Sequence, residues 1–198
     1  MNISDEQRDA ITEIFNIGVG RAAQTLSAVL NSHIQLQVPT VEVFTEPDYS
    51  ELKKRFNLDQ VSAVTMDYDS HFSGSVLLVI SPESAAILVS TLVDEEPGPV
   101  NLDPAREGAL CELGNMIINN LMGSIANFLE ETVHYSLPEY KEGPFESILQ
   151  EKSNKEGTSV CVANTTMSIE ELEVHGNLIV IFKVGHLTKL LDSIKKVS

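Results

Sequence analysis

The stretches EIFNIGVGRAAQTLSAVL (13–30) and ELGNMIINNLMGSIANFL (112–129) read as one helix written twice. Glu13, Asn16 and Leu30 return as Glu112, Asn115 and Leu129, and Pro39 returns as Pro138, all at a single offset. Shared spacing of this kind predicts an internal repeat with halves over about 1–98 and 99–198. Farther along, GSVLLVI (74–80) aligns with GNLIVIF (176–182), and ESAAILVSTLV (83–93) with GHLTKLLDSIK (185–195), so a small insertion is expected in the second half.

Each half then reads as a long helix, an extended segment opening near its proline, a variable region, two strands and a closing helix. The fold class is α/β of the α+β kind. Ser4 with Gln7 three residues on has the pattern of a capping box, and Asp103 followed by Pro104 suits the start of the second long helix. Between the halves, DEEPGPVNLDP (94–104) is acidic and proline-rich, which suits an exposed turn. Strands are expected at 41–44, 61–68, 73–80, 158–167 and 177–182, and a further helix between Pro144 and Lys152. The run NLIVIF (177–182) is apolar without alternation, as in a strand covered on both faces.

At about 100° per residue, Ile11, Ile14, Phe15, Gly18, Ala22, Thr25, Leu26 and Val29 share one face of the first helix and are expected in the core. Asp9, Glu13, Asn16 and Gly20 fall on the opposite face as one exposed row. The second helix repeats the construction, with Leu110, Leu113, Ile117, Leu121, Ile125 and Phe128 against Gly108, Glu112, Asn115 and Asn119. A single Glu and Asn three apart would be an ordinary solvated face. Asn, however, is a mediocre helix former, and it sits mid-helix beside a Glu in both copies.

Composition narrows the function classes. With 198 residues, of which 42% are hydrophobic, the chain can bury a core for one ordinary domain. A formal charge of −16 has the wrong sign for phosphate backbones and anionic lipid, so neither nucleic acid nor membrane is an expected partner. The longest apolar run, Val76–Ile80, is far short of a spanning helix, and the polar start MNISDEQRD lacks a signal-peptide core, so a cytoplasmic protein is expected. Cys111 and Cys161 have no metal-ligand spacing, and no two of the five histidines are spaced for a helical metal site. No nucleophile with a nearby base stands in either row.

Asp9, Glu13, Asn16 and Pro39 fit the spacing Asp/Ser-x3-Glu-x2-Asn-x22-Pro, and this pattern resembles the signature of the CheC, CheX and FliY chemotaxis phosphatases. The second copy fits at Glu112, Asn115 and Pro138 but has Gly108 at the first position. Two motifs within one chain resemble a CheC-like member more than a single-motif CheX or a FliY carrying flagellar switch segments. The resemblance implies one CheC-like domain over 1–198 with a largely antiparallel sheet. It implies hydrolysis of the aspartyl phosphate of a CheY-type response regulator, with no cofactor of its own because the regulator supplies Mg²⁺. Asn16 and Asn115 would orient the attacking water, for which an amide that both donates and accepts is suited. Glu13 and Glu112 are similar to the family glutamates that pair with the regulator's lysine. Asp9 would extend that contact or order the helix, and Pro39 and Pro138 would shape the strand beside the helix. The resemblance makes a CheD-like deamidase a second partner. Two motifs per chain remove the need for a dimer, so a monomer is expected. The rival reading is a non-catalytic adaptor for the same partners. An enzyme acting on a small phosphorylated metabolite fits poorly, since no Gly-rich phosphate loop or basic anion site is present.

Overall fold

Two capped helices with apolar stripes lie on one side of an antiparallel sheet. The computed structural model describes residues 3–30, 33–45, 48–70, 72–93, 102–153, 159–169, 172–183 and 185–197. In chain order the elements are α1 (Asp5–Leu30), β1 (Ile34–Thr45), α2 (Tyr49–Phe56), β2 (Gln60–Asp69), β3 (Gly74–Ile80), α3 (Pro82–Leu92), α4 (Pro104–Leu129), β4 (His134–Tyr135), β5 (Glu139–Pro144), α5 (Phe145–Ser153), β6 (Ser159–Ile169), β7 (Leu172–Phe182) and α6 (His186–Val197).

The ends of the long helices follow from the sequence. The Gln7 N–H donates to Ser4 Oγ at 3.2 Å and the Ser4 N–H to Gln7 Oε1 at 3.1 Å, a reciprocal capping box at the start of α1. The Asp103 carboxylate accepts from the Ala105 and Arg106 N–H groups, each at 3.0 Å, and Pro104 takes the first helical position of α4. Most of the expected inter-half turn, residues 94–101, lies outside the described residues.

The sheet runs β1-β6-β7-β3-β2-β4, with β5 also on β2, and every pairing is antiparallel. Residues 177–182 sit where a strand buried on both faces belongs. Leu178, Val180 and Phe182 join the α1/α4 side of the core, while Ile179 and Ile181 join a second cluster with Leu52, Phe145 and Leu149 from α2 and α5. The molecule therefore has three layers: α1, α3, α4 and α6, then the sheet, then α2 and α5.

Several expectations need correcting. The extended segment after α1 opens at Ile34, five residues before Pro39, so the proline lies inside the strand rather than at its start. Pro138 lies between β4 and β5, in neither strand. The variable region of the first half holds α2, capped by Asp48, which periodicity over eight residues is too short to reveal. Thr25 and Val29 are exposed, Val29 at 63%, because in the last turns of α1 the buried face has shifted round to Ala22, Ala23 and Leu26.

Gly18 is in the core stripe for a steric reason. A Cβ there would lie 2.7 Å from the Cα of Leu121, so the two long helices cross with main chain almost against main chain. Gly20, two residues on, has nothing within 4 Å of a Cβ. Gly18→Ala should lower unfolding stability by about 1–3 kcal/mol through overpacking. Gly20→Ala should raise it by up to about 1 kcal/mol through helix propensity. Urea unfolding of the two variants checks both signs.

Candidate active site

The first row is assembled by a defect in the sheet. Gln37 pairs with Thr166 and Thr40 with Asn164, so β1 spends three steps where β6 spends two, and Val38 and Pro39 have no place in that ladder. Such a bulge would leave a main-chain donor and acceptor unpaired at a buried residue, since Val38 is 1% exposed. Asn16 satisfies both: its Nδ2 donates to Val38 O at 2.9 Å, and the Val38 N–H donates to its Oδ1 at 3.1 Å. A proline next in the chain holds Val38 extended, and an edge-strand bulge is where a residue without an N–H is tolerated. This explains the 22-residue gap between Asn16 and Pro39 as the path from mid-helix to the end of α1 and back along the edge strand.

The carboxamide of Asn16 is thus clamped by main chain. One Nδ2 hydrogen and one Oδ1 lone pair remain for a further partner. Asn16 is half-buried rather than part of a fully exposed row, whereas Asp9 and Glu13, toward the N-terminus on the same face, are exposed. Gly20 lies one turn beyond Asn16 and adds no polar group.

The second row is held differently. Tyr135 pairs with Tyr68 and Glu139 with Thr65, so the chain between β4 and β5 again carries one residue more than its partner strand, and Pro138 lies in that excess. The Ser136 N–H donates to the Asp67 carbonyl, and Leu137, 22 residues after Asn115, is 84% exposed. Asn115 makes no bond to it. Instead Asn119 Nδ2 donates to Asn115 Oδ1 at 2.7 Å, the only hydrogen bond of the Asn115 side chain among the described residues. Gly108 and Glu112 are exposed, and Asn115 and Asn119 are half-buried. The helix is seated on the sheet by Gly114, where a Cβ would lie 2.6 Å from Val64 Cγ1. Burial, then Glu107 and Glu112, push the Cys111 thiol up. Cys161 is buried and pushed up to about 12 by burial, so neither thiol is an activated nucleophile.

The structure therefore brings Asp9, Glu13 and Asn16 onto one helix face with Asn16 against β1, and Glu112 and Asn115 onto another, close to the opposite sheet edge. Sequence reasoning missed the main chain of Val38 as Asn16's partner; the fixed distance to proline was its signal. Among the described residues no group of three or more His, Cys, Asp or Glu side chains is placed to hold a metal ion. No helix among them is long and apolar enough to cross a membrane. A cavity of about 650 Å³ opens beside α5, lined by Asp67, Ser75, His134, Lys152 and Lys183 among others, and includes no row residue.

Removing the clamp has a cost that the second row does not share. Asn16→Ala should destabilise the fold by about 2 kcal/mol or more, since it leaves two buried main-chain groups of Val38 unpaired. Asn115→Ala should change stability by under about 1 kcal/mol. Chemical denaturation of the two variants, read side by side, checks the difference.

Comparison with known proteins places this architecture. A family model described as chemotaxis phosphatase CheX matches residues 62–162, and one described as CheC-like matches residues 6–43. The flagellar motor switch phosphatase FliY of Bacillus subtilis (strain 168) is 32% identical over 132 residues, covering 63% of this chain and 32% of that protein. The CheY-P phosphatase CheC of the same organism is 24% identical over 154 residues, covering 75% of this chain and 72% of that protein. The chain thus spans about a third of the length of that FliY. Among solved structures, Thermotoga maritima FliY superposes with a TM-score of 0.79 at 23% identity over 100% of both chains. The CheX–CheY–BeF3–Mg+2 complex from Borrelia burgdorferi matches with a TM-score of 0.52 at 16% identity, over 86% of this chain and 97% of the matched one. The two family models between them cover most of α1 and all of α4, and the chain belongs to the CheC/CheX/FliY family.

Proposed function

We propose that this chain hydrolyses the aspartyl phosphate of a phosphorylated CheY-type response regulator. The observation that carries the reading is the clamped carboxamide of Asn16. An amide locked at both ends by main chain, with one donor and one acceptor left over, is a preorganised seat for a water molecule. The names of the relatives support the substrate class, since one is a CheY-P phosphatase and another was solved with CheY, BeF3 and Mg²⁺.

In this reading Asn16, and in the second row Asn115, accepts one hydrogen of the water and donates to an oxygen of the phosphoryl group. The water oxygen is thereby held in line with phosphorus. The bond from phosphorus to the aspartyl oxygen breaks as the new bond to water oxygen forms. The aspartyl carboxylate is restored, and phosphate leaves carrying both protons of the water. The Mg²⁺ that neutralises the phosphoryl oxygens belongs to the regulator, which is the substrate. Glu13 and Glu112, one turn before each Asn, contact the regulator's active-site lysine through their charge. An amide cannot serve as a base at neutral pH, so positioning carries the rate. With Asp9 in the first row and Gly108 in the second, the first site contributes at least as much turnover as the second.

Purified protein mixed with a Mg²⁺-loaded, phosphorylated CheY-type regulator should accelerate phosphate release. Asn16→Ala combined with Asn115→Ala should lower that rate by roughly a hundredfold or more while leaving binding measurable. Undiminished release by the double variant would overturn the mechanism. A parent protein that binds the regulator without turnover would instead be an adaptor.

A further inference from the structure

The geometry points to Asn119 as a positioning residue of the second site, a role that rests on the phosphatase reading above. Three observations lead to it. The main chain that clamps Asn16 has no counterpart at Asn115, because Leu137 is turned out to solvent and Ser136 is bonded to Asp67. A carboxamide free to rotate would present donor and acceptor at random and lose its value as a seat for water. Asn119 then supplies the missing hold, one helical turn on, with a short bond of 2.7 Å between half-buried side chains. In the first helix the position that aligns with Asn119 is Gly20, which carries no side chain where the main chain already does the holding.

The direction of the bond matters for the chemistry. Asn119 lies one turn toward the C-terminus of Asn115, and Glu112 one turn toward the N-terminus. With Asn119 donating, Asn115 turns its oxygen toward Asn119 and keeps both Nδ2 hydrogens for the side on which the carboxylate of Glu112 stands. One oxygen lone pair also remains, so the amide can still accept from water while it donates to a phosphoryl oxygen. The two sites therefore hold the same group by different means, main chain in one and a side-chain amide in the other.

The test is run in an Asn16→Ala background, so that turnover reports the second site alone. There, Asn119→Ala should lower kcat for phosphate release roughly ten- to a hundredfold with KM for the phosphorylated regulator unchanged. Asn119→Asp has the same shape but can only accept, so it should turn the Asn115 amide around and lose as much kcat as the alanine variant. The Asn119 effect should vanish once Asn115 is itself replaced by Ala. In the ¹⁵N-labelled protein, Asn119→Ala should shift the side-chain amide signals of Asn115 and leave those of Asn16 in place. A parent without turnover would overturn the phosphatase reading and this role together. A parent that turns over, with kcat in the Asn16→Ala background and the Asn115 amide signals both unmoved by Asn119→Ala, would overturn this role alone. A rise in KM at constant kcat would also overturn it, since that would make Asn119 a docking contact.

Discussion

The one extra residue in β1 between Gln37 and Thr40 sets a problem that the rest of the first site solves. Val38 is buried, and its N–H and C=O are bonded to Asn16 rather than to β6, the one strand beside β1 among the described residues. Buried main-chain groups without partners cost about 1–3 kcal/mol each. A helix lying over the edge strand and carrying a side chain with one donor and one acceptor meets the need, and Asn is such a side chain. Once Asn16 is bonded to Val38 the rotation of α1 about its axis is fixed, which turns Ile11, Ile14 and Phe15 to the core and Asp9 and Glu13 to solvent. The fold and the candidate site thus share one interaction, and the residue we propose to position water is also the one that satisfies the bulge in β1.

The distance between the rows follows from the other close approach. Gly18 lets α1 meet α4 at Leu121, and Gly114 lets α4 sit down on Val64 of β2. The helices consequently lie side by side over the sheet, joined also by Arg21 Nη1 donating to Ser124 Oγ at 3.3 Å. The first helix packs along β1 and the second against β2 and β5, at opposite edges of the sheet.

What could be read from the sequence, and what could not, divides along the range of the interactions. The capping box at Ser4, the Asp103 and Pro104 start of α4, the apolar stripes and the doubly buried strand 177–182 are local patterns, and the structure has them where the residues put them. Thr25 and Val29 show the limit of periodicity: a helical wheel assigns a face but cannot tell which part of it the neighbouring elements cover. The short α2 carries too few turns for its period to show, and its Asp48 cap is one Asp among many. The partner of Asn16 was out of reach because it is a register fact. Only the pairing of β1 with β6 reveals that Val38 is unpaired. Its trace in the sequence is the distance to Pro39, which a resemblance can flag without explaining.

The second row shows why matching a motif is not the same as matching a site. Glu112, Asn115 and Pro138 keep the spacing, and the chain between β4 and β5 keeps the one-residue excess against β2. Yet the excess now falls at Ser136, Leu137 and Pro138, where Ser136 pairs back to Asp67 and Leu137 leaves the surface. A two-residue β4 in place of the longer run before the bulge in β1 gives that segment less sheet to lie on. The hydrogen-bonding capacity that α1 spends on main chain is therefore unspent in α4, and a neighbouring amide takes half of it. An interaction between two side chains orders its partners less firmly than one anchored in a sheet, because both members must give up rotamer freedom. The difference between the two rows is thus one of rigidity as well as of charge, and the difference in rigidity arises in the strand segment beside each helix rather than in the helices themselves.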